Sequence, residues 1–580
     1  MVNGRKIQQL WRHFFTLLSG FCFVFLYSIS VSYSQNTGAF QPDAGSLLQG
    51  IERNKFNPQL PDVKSPEALP QIHLLKGNGE NLVLKRVLFE GNLAVKTPDL
   101  EHVAAPYLDH PLYFADLQNL AAQISLLYRQ RGYVATVSIP HQIVVRGNVR
   151  LKIVEAHFSG ADIDPRSNGL IKNEFIVHRI EQALKPGELV DLQKLDRALL
   201  LLNDLPGASM TGGLDSGHKE GESRYVVVSQ RRNQVTATAS VDNYGARSTG
   251  EQRFNGDISL NNAVGIGDLL TVSALHTFGS DYGRFAVSFP VLDNGLRFEA
   301  SASVMKYHLT APELKSGNFA GQSQTYGFDL TYPIVRSRVF NLNFLTGYVG
   351  KTFINTANQN VSSHYRTDAM SVGLNANLYD DIYMTAVNSF SLTAVTGLVD
   401  LNGSPNKASD SLTTQTQNQF SKIKATVART QTLSEQLEAV VSTTGQYAFK
   451  NLDSSEKLFV GGVSGVRAYP SSEGGGSSAV IGNGELKYKL PYDLTVSGFY
   501  DIGAVTQNMN NHYSGALTNN HLLYRGYGLN LLWQGPYQSQ YKFTWAHRQS
   551  DNPNPNPASG RDQDGTKKLD RYWLSVSGGF

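Results

Sequence analysis

Cysteine is almost missing from this chain. Cys22 is the only one, and it lies in an N-terminal segment that reads as a removable leader. A mature chain without thiols excludes a disulfide framework and any cysteine metal site. Charge is also scarce: charged residues make up 17% of the 580, against about 25% in ordinary soluble domains. The net charge of +3 comes with no basic stripe, which argues against nucleic acid as a partner. Beyond the leader, no stretch offers the ~20 apolar residues of a spanning helix. Any membrane crossing must then be made by strands closed into a barrel. Glycine is plentiful instead, with 53 residues, and aromatics reach 10%.

The leader is residues 1–34. Arg5, Lys6 and Arg12 precede an apolar run from Phe14 to Ile29, and Ser32 and Ser34 are small residues suited to cleavage near Gln35. A membrane anchor is the alternative, but the run is short and no stop-transfer charges follow. Phe21 is too bulky to precede a lipidated Cys22. In the region 35–53, Leu47, Leu48 and Ile51 share one face of a short helix over Pro42 to Arg53. Gly45 and Gly50 weaken it, and a frayed tail fits these residues equally well. Pro58, Pro61, Pro66 and Pro70 mark 54–71 as an extended linker.

Residues 72–156 have a different character. Val83 to Phe89 reads as a strand, and Thr97-Pro98-Asp99 as a helix start with Thr97 as cap. A second helix carries Phe114, Leu117, Ala121, Ile124 and Tyr128 on one face and stops at Gly132. Strands at Tyr133 to Ile139 and Val149 to His157 follow. The order recurs over 157–232, with a helix near Glu174 to Leu184, another capped by Asp191 with Leu192, Leu195, Leu199 and Leu202 inward, and a strand at Tyr225 to Val228. The repetition favours two small α+β modules over one larger domain.

From 233 to 580 the period becomes two. Tyr541, Phe543, Trp545 and His547 oppose Lys542, Thr544, Ala546 and Arg548; Leu486, Tyr488 and Leu490 oppose Glu485, Lys487 and Lys489. One face is apolar and the other wet, as a lipid-facing barrel with a polar lumen requires, and about sixteen strands fit. Connections after even strands are short: Ala263 to Gly267, Val291 to Gly295, Pro333 to Ser337, Asp380-Asp381, Pro491 to Asp493 and Gln534 to Gln538. Those after odd strands are mostly long: Tyr307 to Ser323, Lys351 to Tyr365, Gly397 to Thr414, Phe449 to Ser478, Thr506 to His521 and Gln549 to Leu569. Short periplasmic turns and long outer loops are the asymmetry of outer-membrane barrels, which puts the two modules in the periplasm. The fold class expected is a membrane all-β barrel preceded by two α+β modules and an N-terminal helix.

Apparent catalytic motifs fail. Gly350-Lys351-Thr352 resembles the end of a phosphate loop, but Leu345 stands where its first glycine belongs. Gly462-Val463-Ser464-Gly465 lacks the spacing of a nucleophile elbow, and the 14 histidines show no zinc-binding pair. No cofactor, metal or enzymatic activity is expected. The long connection after Phe449 holds Val466-Arg467-Ala468-Tyr469 among glycines, able to fold inward. Asp501 shares a lumen-facing phase with Thr495, Ser497 and Phe499 and needs water or a counter-ion. Charge alone decides neither for an Arg467–Asp501 pair nor for an arginine left in solvent.

With these motifs in place, the chain resembles the TpsB family of two-partner secretion transporters, the haemolysin and filamentous-haemagglutinin secretion proteins. That family has a plug helix, a linker, two POTRA modules and a sixteen-stranded barrel, in the order read here. Its loop-tip motif Val-Arg-Gly-Tyr is similar to Val466, Arg467, Ala468 and Tyr469. The departure is Ala468 for glycine, whose methyl would strain a left-handed backbone angle. Its partner motif Phe-x-Asp-x-Gly on strand thirteen is similar to Phe499, Asp501 and Gly503. Asp242 to Gly245, Asn261-Asn262 with Gly265 and Gly267-Asp268, and Asp204 to Gly207 also resemble the family. Tyr572 and the terminal Phe580 resemble the signal by which barrel assembly machinery recognises outer-membrane barrels for insertion. The resemblance implies a large secreted partner protein and outer-membrane lipid as partners. An assembly factor of the same superfamily is the rival reading, though such relatives carry more POTRA modules and lack the helix. A passive porin would not need residues 72–230, and a barrel enzyme comes last.

Overall fold

The computed structural model describes residues 42–55, 62–64, 75, 82–556 and 559–579. The leader, most of the linker and Phe580 lie outside the described residues. In chain order the first element is helix α1 (Ala44–Lys55). The chain divides into two compact units, one holding the modules and one holding α1 and the barrel.

The first module runs β1 (Arg86–Glu90), α2 (Thr97–Ala104), α3 (Phe114–Gln130), β2 (Ala135–Ser138) and β3 (Asn148–Glu155). β3 lies centrally, parallel to β1 and antiparallel to β2. The second repeats this order with β4 (His157–Ile163), α4 (Asn173–Ala183), α5 (Leu192–Asn203), β5 (Met210–Ser216) and β6 (Glu222–Ser229), with β6 parallel to β4 and antiparallel to β5. Asp191 caps α5, accepting from the amides of Gln193 and Lys194 at 2.9 and 3.1 Å.

Two local expectations are corrected. The strand expected over Val83 to Phe89 is broken because Leu84 turns fully into the core, leaving Leu82–Val83 paired with Pro111–Leu112. Thr97 does not cap α2. Lys96 occupies the cap position and, with a donor-only side chain, makes no cap bond; Thr97 is already helical, and its hydroxyl accepts from the Asn92 amide at 3.2 Å.

The first module's core holds one polar knot. Glu155 Oε1 accepts from the Tyr128 hydroxyl at 2.7 Å and from the amides of Leu93 and Ala94 at 2.7 and 2.8 Å. Burial, with Glu155 alongside, holds the Tyr128 hydroxyl protonated well above the usual tyrosine range. Tyr128→Phe keeps the ring's packing and deletes the donor, so it should destabilise the module by roughly 1–3 kcal/mol. The urea midpoint of a fragment spanning both modules, with unchanged slope, measures this; an unchanged midpoint would show the knot contributes nothing.

The second unit is a closed antiparallel barrel of sixteen strands: β7 (Val235–Asp242), β8 (Arg253–Asn261), β9 (Leu269–Thr277), β10 (Ser280–Pro290), β11 (Arg297–His308), β12 (Ala320–Arg336), β13 (Phe340–Ala357), β14 (Asn360–Asp380), β15 (Ala386–Asp400), β16 (Asn418–Thr432), β17 (Leu437–Ala448), β18 (Ser478–Leu490), β19 (Leu494–Thr506), β20 (His521–Gln534), β21 (Gln540–Arg548) and β22 (Asp570–Gly579). β22 closes onto β7, from Ser575 opposite Asp242 to Gly579 opposite Thr238. Outward residues are apolar and exposed, among them Leu486, Tyr488, Tyr572 and Leu574. Tyr383, Tyr492 and Tyr537 stand exposed at the short turns, where an interfacial aromatic girdle belongs.

The expected long loop Lys351 to Tyr365 is absent. β13 and β14 run on to a turn at Asn358-Gln359, both with positive φ. Thr352, Phe353, Ile354, Val361 and Tyr365 continue the two-residue alternation, so these β-formers extend the hairpin. The turn expected over Pro333 to Ser337 shrinks in the same way. β12 reaches Arg336, with a register shift between Pro333 and Val335 where proline cannot donate to the ladder.

Candidate functional site: a stoppered lumen and an inward-folded loop

Inward residues of β10 to β16 form an apolar seat: Tyr282, Met305, Tyr307, Phe353, Tyr365 and Phe420 cluster with Ala44, Leu47, Leu48 and Ile51 of α1. These wall residues alternate with the outward-facing ones, so α1 lies inside the barrel. Most of its polar contacts go elsewhere. Ser454 Oγ donates to Asp43 at 2.7 Å, Gln49 donates to the Lys457 carbonyl, and Arg53 donates to the carbonyls of Phe459 and, at 3.2 Å, Ser464. All four partners belong to the connection 449–477 between β17 and β18. To the wall, the Ala44 amide donates to Asn355 Oδ1 at 2.9 Å, and Glu52 meets Ser303 and faces the cations Lys351 and Arg284.

That connection is the sixth on its side of the barrel, and it turns inward. Leu458–Phe459 pairs with Gly475–Gly476 at its base. Within it the Val466 amide donates to the Val460 carbonyl at 2.7 Å, and the Gly462 amide to that of Tyr469 at 3.1 Å. Lys351 and Lys422 on the wall hold Glu456 at 3.0 and 2.6 Å. Val460, Val466, Ala468 and Tyr469 are buried against Ala479, Ile481, Phe499, Val505, Leu522, Tyr524 and Ala546 on strands β18 to β21.

Arg467 sits at the centre. Its Nε and a terminal nitrogen donate to the two Asp501 oxygens at 2.9 and 2.8 Å, and its backbone amide adds a third bond at 3.0 Å. The guanidinium lies over the Phe499 ring, 3.4 Å from its centroid. Asp501 has no solvent exposure. The motif residues thus divide the work: Phe499 supplies the ring under the cation, Asp501 the counter-charge, and Gly503 a close approach. A Cβ on Gly503 would lie 2.9 Å from a Val466 methyl. Ala468 takes no left-handed angle, contrary to the strain expected of it. Its methyl is admitted because residue 526 opposite is glycine; a Cβ there would lie 2.5 Å away. Tyr469 packs edge-on against Tyr524 at 4.8 Å.

Sequence reasoning missed three partners. Glu485 accepts from the remaining terminal nitrogen of Arg467 at 2.9 Å, Asn483 donates to Asp501 at 2.7 Å, and Trp573 donates to the Arg467 carbonyl at 2.8 Å. The first two were accessible. The turn at Pro491 to Asp493 sets Glu485 opposite Phe499 and Asn483 opposite Asp501. Trp573 lies on the last strand, and no local signal links it to Arg467. Tyr572 faces outward and stacks on Phe543 at 6.2 Å. Near the outer rim, Glu473 is fully buried and accepts from the Gln563 amide at 3.0 Å. Burial pushes its carboxyl up to about 8, so it sits there neutral rather than as a buried charge.

A closed sixteen-strand barrel whose lumen holds a helix and an inward loop, joined to two POTRA-type modules, defines an outer-membrane protein transporter. The chain belongs to the haemolysin secretion/activation protein family ShlB/FhaC/HecB, whose profile matches residues 221–548; a ShlB-type POTRA domain matches residues 82–156. It is 26% identical to the heme/hemopexin transporter protein HuxB of Haemophilus influenzae strain 86-028NP, over 80% of this chain and 83% of that one. To the outer membrane transporter CdiB of Dickeya dadantii strain 3937 it is 22% identical, over 72% and 74%. The solved structure of CdiB from Escherichia coli superposes with a TM-score of 0.66 at 18% identity, covering 89% of this chain and 94% of that one. The protein is an outer-membrane transporter of the two-partner secretion type, with its POTRA modules in the periplasm.

Proposed function

We propose that the protein exports one large secreted partner as an unfolded chain through its own lumen, once α1 has left. The observation that carries this is the placing of α1: an apolar face on the seat and polar side chains held mainly by one loop, an arrangement that can be withdrawn without breaking a strand. The modules capture the partner in the periplasm, adding its backbone as a strand to a sheet edge. Folding outside pulls the chain forward, and no bond chemistry is needed. Outer-membrane lipid surrounds the apolar belt, and barrel assembly machinery inserts the chain by its last strand. Arg467 and Asp501 hold the loop in its working position. Neither a metal nor a cofactor has a part in this scheme.

Deleting Pro42 to Arg53 should raise single-channel conductance in planar bilayers. A helix of twelve residues is about 18 Å long, enough to obstruct a lumen that sixteen strands otherwise leave as an aqueous channel. Unchanged conductance would mean that α1 is not a stopper.

A further inference from the structure

We propose that the seat of α1 is itself an acceptor site for apolar side chains of the polypeptide in transit, so that helix and cargo compete for one surface. The proposal rests on export through the lumen and adds the chemistry the cargo must bring. At the short-turn ends of β14 to β16 the lumen is lined as a wet pore should be, with Asn375, Asn377, Asp380, Asn388 and Arg429 facing inward. Nearer the long-loop ends of β10 to β16, apolar side chains take over much of the wall. Met305 and Phe353 have no solvent exposure, and Phe420 and Tyr365 only 2% and 4%. The Phe353 and Tyr365 rings lie 5.0 Å apart. Such a band faces water the moment α1 departs. A stopper alone does not require it, because polar contacts would hold a helix equally well in a polar pore.

The division of contacts points the same way. The loop provides most of the hydrogen bonds to α1, and the wall provides the apolar contact, with polar contacts at Ala44 and Glu52. Apolar contact is non-directional, so the wall half of the site accepts any chain that presents branched aliphatic or aromatic side chains, helical or extended. The hydrogen-bonding half is shaped for α1 alone. The helix is also poorly made for independent existence. It has twelve residues, with glycine at 45 and 50, and isolated helices shorter than about 12–15 residues are marginal even in alanine-rich sequences. Off the seat it loses its helical form, so a competing chain does not have to displace a rigid body.

The test uses the full chain in planar bilayers with two synthetic peptides. One is a 30-residue unstructured peptide with leucine or phenylalanine at every third or fourth position; the other carries serine at those positions. During open intervals the apolar peptide should block the current with dwell times at least about tenfold longer than the serine peptide, the difference expected from burying a few apolar side chains. It should also prolong the helix-out intervals. Phe353→Ser, or Phe420→Ser if the first fails to insert as a heat-modifiable barrel, should shorten the apolar peptide's dwell about fivefold and leave the serine peptide's unchanged. Equal dwell times for the two peptides, or apolar dwell unaffected by either wall variant, would overturn the acceptor site. If deletion of α1 raises conductance while the peptides behave alike, only this inference falls. If the deletion leaves conductance unchanged, the stopper reading falls with it.

Discussion

Arg467→Ala should abolish most secretion while the barrel still inserts and remains heat-modifiable. The variant leaves Asp501, which has no solvent exposure, with the Asn483 amide and the backbone amide of residue 467 but without its counter-ion. Breaking a buried pair by removing one member costs about 3–5 kcal/mol, against roughly 0–1 for a surface pair. The loop tip also loses the cation stacked on Phe499. Asp501→Ala should be milder, because Glu485 still accepts from Arg467 at 2.9 Å. Arg467→Lys should not rescue export: a point-charge ammonium cannot bond both Asp501 oxygens and Glu485 in the fixed fork that guanidinium offers. The double variant Arg467→Ala/Asp501→Ala should be no worse than Arg467→Ala alone, since groups acting through one contact do not add. The Asp501 carboxylate reaches the Arg467 backbone amide at 3.0 Å, so the two main chains lie within about one side-chain length. Cysteines at both positions should therefore crosslink on oxidation, in a chain whose only other thiol is Cys22. Additive defects with no crosslink would refute the pairing.

Removing residues 72–230 should be as severe for export and nearly silent for the pore. The two modules form their own compact unit, each with its own sheet. The barrel closes on itself through β22 and β7 without them. Secretion of the partner into the medium should fall to background, while purified protein still conducts in bilayers. Normal export by the truncated chain would place recognition of the partner in the barrel. Loss of conductance would show that the barrel does not stand as an independent folding unit.

The barrel was legible because its physics is one-dimensional. Two-residue alternation names the lipid face, and short turns fix register, so Asp501 could be set in lumen phase and the modules put at the periplasmic end. Legibility failed where a polar sequence imitates a loop. Asn355, Asn358, Gln359 and Asn360 hide the fact that β13 and β14 continue, because the signal there lies in alternate residues such as Phe353 and Tyr365, which are buried in a cluster with residues of α1 distant in sequence. Thr97 misled in a different way: a hydroxyl at a helix start reads as a cap, but the helix begins one residue earlier, with Lys96 at the cap position. The site was half legible. The motifs brought Arg467 and Asp501 to attention. Glu485 and Asn483 could have been found by counting back across the turn at Pro491 to Asp493. Trp573 could not, because its bond to the Arg467 carbonyl spans most of the barrel's closure.

The helix holds the loop in a peculiar manner. Gln49 and Arg53 grip the main-chain oxygens of Lys457, Phe459 and Ser464, and a carbonyl is the same chemical group whatever residue bears it. Those contacts therefore read the path of the loop and are blind to its spelling. Descent can rewrite positions 457, 459 and 464 freely, as far as this grip is concerned, while every substitution at 49 or 53 is felt at once. The memory of how stopper and loop fit together is written almost wholly on the stopper.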